Sequence, residues 1–191
     1  PSILKTTRLG YDGKGQSRLS DTSPAALDAA WAEIGGQAAV LEGFIRFEHE
    51  FSLILVRGQT GEIRFWDAPV NVHKAGILAT STVPANPAVL AQLDRAQAMA
   101  RAVADALDYV GVLTLEFFCG QDGPIFNEMA PRVHNSGHWT IEGAVTSQFE
   151  NHIRAICGLP LGATTLAAGG AVMDNLIGTQ ANDWAALLAD Q

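Results

Sequence analysis

The stretch VLTLEFFCGQDGPIFNEMAPR, residues 112–132, carries two apolar runs, Val112 to Phe118 and Pro124 to Met129, on either side of Gln121-Asp122-Gly123. Apolar runs flanking a Gly-containing turn predict a β-hairpin. With a three-residue loop closed by Gly123 in the left-handed region, Gly120 pairs with Pro124 and, counting outward, Glu116 pairs with Glu128. Their Cβ atoms would then lie about 4.5–5.5 Å apart on one face, where like charges destabilise a strand pair. Two carboxylates so placed in apolar strands call for a cation between them. Mg²⁺ is the economical choice, because it takes one or two carboxylates and completes its octahedron with phosphate oxygens and water. The competing register is a two-residue Asp122-Gly123 turn, which sends the two glutamates to opposite faces. In that register the pair is a solvated sheet edge.

Working outward, Gly111 precedes the hairpin and ends a long helix predicted from Asn86, with Pro87 at its first position. Val89, Leu93, Ala96, Ala100, Val103 and Leu107 form its apolar stripe. The segment Arg132-Val133-His134-Asn135-Ser136-Gly137-His138-Trp139 follows the second strand. Polar hydrogen-bonding side chains at a strand end are the usual material of small-molecule sites. Ser147 to Glu150 reads as a capping box for a helix whose apolar positions are Phe149, Ile153 and Ile156, closed by Gly158 and Pro160. Gly170 to Ile177 suggests one more strand, and Asp183 to Leu188 the start of a helix.

Toward the amino terminus, Glu50 to Arg57 and Glu62 to Trp66 predict a hairpin. Pro69 to Lys74 alternates, with Val70 and Val72 on one side and Asn71 and His73 on the other; His73 reads as a satisfied, partly buried histidine or a ligand-side group. Before these come a strand from Ser2 to Lys5, the glycine-rich Gly10-Tyr11-Asp12-Gly13-Lys14-Gly15-Gln16, a helix capped by Ser23, and a strand from Ala38 to Leu41. In that helix Leu27, Ala30, Trp31 and Ile34 have core spacing. The glycine loop lets backbone N–H groups approach an anion, and Lys5 and Lys14 add charge. It has neither P-loop nor dinucleotide-fold spacing.

Composition bounds the function. At 191 residues, 48% hydrophobic and 17% charged, the chain has material for one good core or two small lobes. A net charge of −8 argues against a nucleic-acid or anionic-membrane partner. No apolar run is long enough to span a bilayer. Cys119 and Cys157 suggest no disulfide framework, which fits a reducing cytoplasm.

The segments LKTTRLGYDGKGQ, VLEGFIRFEHEFSLI and NEMAPRVHNSGHWTIEGAVTSQFENHIRAICGLPLG resemble the 5-(carboxyamino)imidazole ribonucleotide synthases, a family of ATP-grasp enzymes of purine biosynthesis. The likeness runs from about Ile3 to Ile177, and HNSGHWT is its most specific part. It implies an α+β ATP-grasp fold: two α+β lobes with mostly antiparallel sheets and nucleotide between them. The implied small lobe is 1–45, the large lobe 46–165, and 166–191 begins a small carboxyl-terminal subdomain.

The resemblance also implies a role for each matched position. Lys5 and Gly10, Tyr11, Asp12, Gly13, Lys14, Gly15 and Gln16 would hold the ATP phosphates. Glu42, Gly43, Phe44 and Ile45 would read adenine, Glu50 would bind the ribose and His73 would lie near the nucleotide. Asn127 and Glu128 with Glu116 would hold Mg²⁺. Arg132, His134 and Asn135 would face bicarbonate, the carboxyphosphate made from it, and 5-aminoimidazole ribonucleotide. A homodimer is implied as well. The family's amino-terminal domain and basic carboxyl-terminal stretch would lie beyond Pro1 and Gln191, so the expectation is nucleotide and Mg²⁺ binding with little complete synthase activity. Two readings compete with this one: an ATP-grasp ligase acting on another carboxylate, and a nucleotide-binding module without turnover.

Overall fold

A computed structural model describes residues 1–8 and 14–189. The chain divides into two compact units, Pro1–Arg46 with His73–Ile77, and Phe47–Val72 with Leu78–Gln191.

The first unit carries a three-stranded antiparallel sheet of β1 (Ser2–Thr6), β2 (Gln16–Leu19) and β3 (Ala39–Gly43), in the order β2-β1-β3. Helix α1 (Pro24–Glu33) starts as its sequence requires, with Ser23 accepting from the Ala26 N–H at 3.3 Å and Pro24 in the first turn. Its buried side is narrower than the spacing predicted. Ala30 and Ile34 are buried, whereas Trp31 and Leu27 are exposed, so Trp31 is not a core residue. A three-stranded sheet is too small to cover four large positions of one helix.

The second unit is built on a sheet in the order β10-β7-β6-β4-β8-β9, with β5 on β4. Its strands are β4 (His49–Arg57), β5 (Ile63–Phe65), β6 (Val70–Lys74), β7 (Ile77–Val83), β8 (Gly111–Gly120), β9 (Gly123–Ala130) and β10 (Ala171–Asp174). Two of the molecule's strands, β2 and β7, carry no strong pattern in the sequence. On β6 the alternation is real but inverted, because Asn71 is buried and Val72 exposed. A buried amide is tolerated only with partners. Asn71 Nδ2 donates to Ser52 Oγ at 2.6 Å, and Ser81 Oγ donates to Asn71 Oδ1 at 2.8 Å.

The helices that follow these strands are α2 (Pro87–Leu90), α3 (Leu93–Ala106), α4 (Thr140–Gly143), α5 (Gln148–Ile156) and α6 (Trp184–Ala189). The single long helix expected from Asn86 is therefore two, α2 and α3, broken at Ala91-Gln92. At the break the Gln92 N–H bonds only three residues back, to the Val89 carbonyl at 2.9 Å, and the Gln92 Nε2 reaches across to the Gly120 carbonyl at 2.8 Å. Ala96, Ala100 and Ala104 of α3 pack on Phe51, Leu53, Leu55, Leu113, Leu115 and Phe117, one whole face of β4 and β8. Leu107, placed on that stripe by spacing, is exposed.

The opposite face of the sheet is divided. At one end Ile54, Val56 and Val112 make a second core with Trp66, Trp139, Ala155 and Leu161. At the other end the inward positions are polar. Glu50, Ser52, Thr114 and Glu116 alternate with the apolar residues of the first core along the same two strands.

Candidate functional site

The β8–β9 hairpin does pair Glu116 with Glu128, by a route that neither sequence register contained. Its loop is the two residues Gln121-Asp122, because Gly120 pairs with Gly123. A Cβ on Gly120 would lie 2.8 Å from the Gly123 carbonyl oxygen, and Gly123 has φ +132, so both glycines are needed for so tight a closure. Counting outward from this turn alone would put Glu116 opposite Asn127. A β-bulge intervenes: Phe117 pairs with Phe126 and Glu116 with Glu128, leaving Asn127 as the extra residue. The bulge re-aims the strand so that the two carboxylates share one face, with Asn127 immediately beside them.

Ser52 lies opposite Glu116 on β4, so a polar row crosses the sheet from Ser81 through Asn71 and Ser52 to Glu116 and Glu128. Ser52 and Ser81 are wholly buried and Asn71 nearly so. Polarity rises toward β9, where Glu128 is exposed. Sequence reading missed these three residues, although Asn71 facing a serine-bearing strand was the available signal.

The loop after β9 meets this row through His134. Its Nε2 lies 3.2 Å from Glu116 Oε1, and both side chains are largely buried, 13% and 15% exposed. The other ring nitrogen, Nδ1, is approached by the Ser136 N–H at 3.3 Å and by Ser136 Oγ at 2.8 Å. A backbone N–H can only donate, so Nδ1 accepts and the ring proton sits on Nε2, directed at Glu116. Both nitrogens of His134 are thus committed to protein groups. Arg132 is exposed, with Nη1 donating to the Val133 carbonyl at 2.9 Å. Asn135 is half-buried, and its Oδ1 is a buried acceptor with no hydrogen-bond donor among the described residues. His138 lies at the rim, 5.6 Å from the Phe149 ring, and partial desolvation holds its pKa below the ordinary imidazole value.

The carboxylates fit a hard divalent ion such as Mg²⁺. Glu116 and Glu128 offer oxygen donors on one face, and His134 Nε2 lies 3.2 Å from Glu116 Oε1. Among the described residues no three His, Cys, Asp or Glu side chains converge as a metal cage. That sparse donor set suits an ion whose remaining ligands are phosphate oxygens and water. Cys119 takes no part. It is buried beneath Gln92, and desolvation, with the Glu48 charge adding to it, pushes its thiol pKa up.

In the first unit, Lys5 Nζ forms an ion pair with Glu42 Oε2 at 2.8 Å, and Lys5 pairs across the strands with Gln16. The Thr6 N–H donates to the Gly15 carbonyl at 2.7 Å, which fixes the exit of the glycine loop next to Lys5; Lys14 beside it is exposed. Gly10, Tyr11, Asp12 and Gly13 lie outside the described residues. Gly43 pairs with Ser2, and Phe44 beyond it donates its N–H to the Pro1 carbonyl at 3.1 Å. The Arg18 guanidinium stacks 4.3 Å over the Phe44 ring, a contact with no sequence signal. Ile45 is half-buried at the end of this segment. In the second unit Glu50 pairs with Asn71 on β6. His73 is half-buried near the end of β6.

The ATP-grasp domain model matches residues 1–149. The chain belongs to the ATP-grasp family.

Within that family the likeness is specific. The N5-carboxyaminoimidazole ribonucleotide synthase of Brucella melitensis is 50% identical over 190 residues, 99% of this chain and 52% of that protein. The crystal structure of N5-carboxyaminoimidazole ribonucleotide synthetase from Thermus thermophilus superposes with a TM-score of 0.82 at 53% identity, covering 93% of this chain and 47% of that one. The Aspergillus clavatus synthase, in complex with ADP and 5-aminoimidazole ribonucleotide, gives a TM-score of 0.87 at 29% identity over 99% and 50% of the two chains. The chain spans about half the length of the relatives it matches. The ATP-grasp assignment rests on a fold of mixed helices and antiparallel sheets, and the Glu116–Glu128 hairpin lies inside the matched region. No helix among the described residues is long and apolar enough to cross a membrane.

Proposed function

We propose that this chain is the nucleotide- and Mg²⁺-holding part of an enzyme that carboxylates 5-aminoimidazole ribonucleotide with bicarbonate at the expense of ATP, in purine biosynthesis. The observation that carries the reading is the pairing of Glu116 with Glu128 on one sheet face, with the His134 Nε2 proton directed at Glu116. Two facing carboxylates repel, and one neutral N–H donor offsets only part of that. A divalent ion resolves the rest.

The roles follow from residue chemistry. Glu116 and Glu128, with Asn127 at the bulge, would hold Mg²⁺, which when bound neutralises phosphate charge. In the first unit, Lys5, Lys14, Gly15 and Gln16, with Gly10 to Gly13, would orient the phosphates. Glu42 to Ile45 of the same unit would read adenine through main-chain groups and the Glu42 carboxylate; Glu50 of the second unit would bind the ribose, and His73 would lie near the nucleotide. Bicarbonate is a poor electrophile, so one of its oxygens first attacks the γ-phosphorus and ADP leaves. Such a transfer needs positioning and charge neutralisation more than covalent help. Arg132 and Asn135, beside His134, would face the resulting carboxyphosphate. The amine of the ribonucleotide then attacks its carboxyl carbon, and inorganic phosphate leaves. The buried, donor-seeking Asn135 Oδ1 is suited to an N–H or O–H of these substrates. The family resemblance extends to a homodimer and a cytoplasmic location, which complete the proposal.

Isothermal titration of the chain with ADP, with and without Mg²⁺, tests the site. Binding should require Mg²⁺, and Glu128→Gln should weaken the Mg²⁺-dependent part about tenfold or more while leaving the fold intact. Equal ADP affinity in Mg²⁺ and in chelator would overturn the metal assignment. A coupled assay for ADP release with bicarbonate alone, and with other small carboxylates, separates this reading from a ligase of different specificity.

A further inference from the structure

We propose that Gln148 is a positioning residue for the Glu116 carboxylate, acting through His134. The inference rests on the preceding reading only in taking Glu116 as a metal-facing group.

Gln148 is the first residue of α5, and its side chain is wholly buried. A primary amide in that setting must place an acceptor and a donor. Both go to one residue: Gln148 Oε1 accepts from the His134 N–H at 2.9 Å, and Nε2 donates to the His134 carbonyl at 2.7 Å. His134 has φ −130 and ψ 151, an extended conformation in which its N–H and C=O point to the same side. The amide therefore grips His134 as a neighbouring strand would. With the backbone gripped and Nδ1 held by Ser136, the ring has one orientation, and that orientation sends the Nε2 proton to Glu116.

The clamp is itself braced. The Gln148 N–H donates to Thr140 Oγ1 at 3.0 Å, and that hydroxyl donates to the Gly137 carbonyl at 2.6 Å. Ser136, Thr140 and Gln148 are all fully buried. Gly137 supplies the space: a Cβ there would lie 2.6 Å from Gln148 Oε1 and 2.8 Å from Ile54 Cδ1. The result is a closed ring of buried hydrogen bonds that fixes the direction of one imidazole N–H. Partners of this kind fix the tautomer and aim of the groups they support, and losing them commonly weakens metal binding about 10- to 100-fold.

The test begins on the native chain. At a fixed pH of about 8, long-range ¹H–¹⁵N spectra should show His134 with a bare Nδ1 and a protonated Nε2. Its backbone amide should exchange slowly. A protonated Nδ1, or a fast-exchanging His134 amide, would overturn the clamp without any variant. Gln148→Ala and Gly137→Ala should each move the imidazole nitrogens toward tautomer averaging and raise the Mg²⁺ concentration needed for ADP binding about tenfold. Near-ultraviolet circular dichroism from buried Trp139 reports whether the fold is kept. A folded Gln148→Ala protein with the native nitrogen pattern and native Mg²⁺ requirement would overturn the proposal and leave the metal site standing. Native clamp signatures in a protein that binds ADP without regard to Mg²⁺ would do the reverse.

Discussion

Helices α3 and α5 belong to the same unit and bury opposite kinds of surface. The buried residues of α3 are Ala96, Ala100 and Ala104, which let the helix lie close on Leu53, Leu113 and Leu115. Those of α5 are Gln148, Asn151 and Ala155, whereas Phe149, Ile153 and Ile156 are exposed. The apolar positions of α5 therefore lie on its outer face. The reason lies in what each helix holds. Beneath α3 is a uniformly apolar sheet face, and small side chains suffice. Beneath α5 run main-chain segments with unmet hydrogen bonds, and the two amides meet them in the same way. Gln148 brackets the N–H and C=O of His134, and Asn151 brackets those of Gly162, accepting at 2.7 Å and donating at 3.2 Å. Hydrophobic periodicity marks the core side of a helix only where burial of carbon is what the helix contributes.

Substitutions can break or sharpen this contrast. The largest expected effect is on the α3 side: Leu115→Ala should cost about 3 kcal/mol of unfolding free energy in urea titrations, from lost burial plus a cavity. Next comes Asn151→Leu, which keeps the volume but leaves two buried main-chain groups of Gly162 unsatisfied, at about 2 kcal/mol. A stabilised Asn151→Leu protein would refute the bracketing account of α5. Ser147→Ala should cost about 1 kcal/mol, because Ser147 Oγ accepts from the Glu150 N–H at 3.2 Å. Only half of the predicted capping box exists, since the Glu150 carboxylate turns to Arg154. Ile153→Ser, on the exposed stripe, should change stability by no more than about 0.5 kcal/mol. A loss of several times that would return the stripe to the core.

The smallest effect is a titration. Desolvation beside Phe149 lowers the His138 pKa, so the folded state favours neutral imidazole. The sign follows from linkage. A histidine with a depressed folded pKa contributes stability that is complete above its unfolded value of about 6.5 and is lost as pH falls toward the folded value. Phe149→Ala should bring the His138 midpoint, read by proton NMR, back up toward about 6.5. An unchanged midpoint would mean that the Phe149 ring is not what dries the imidazole.

Several features of the site were legible because they depend on neighbours in sequence. The caps at Ser23, Asn86 and Ser147 each accept from the N–H three residues on, as their types require. The β8–β9 hairpin and its paired glutamates were likewise readable, but the turn was misplaced. A β-bulge has no residue signature comparable to a cap or a turn, so Asn127 could not be recognised as the residue that shifts the register. The break between α2 and α3 was hidden as well: no Gly or Pro marks it, and the Gln92 side chain at the break bonds to Gly120 far along the chain. Ser52, Asn71 and Ser81 come from three strands and mean little until those strands are neighbours.

Sequence alone determined most of the strands and helices by local stereochemistry, which side chains carry oxygen and nitrogen chemistry, and that two acidic residues lie on the arms of one hairpin. Tertiary structure alone decided that the bulge turns those acids to a common face and that His134 presents Nε2 to one of them. It also decided that α5 buries amides rather than its apolar stripe. The division is physical. Propensity, capping and turn chemistry act over a few residues. A hydrogen-bond inventory closes only when distant segments meet, and a buried polar group takes whichever partner the fold brings within reach.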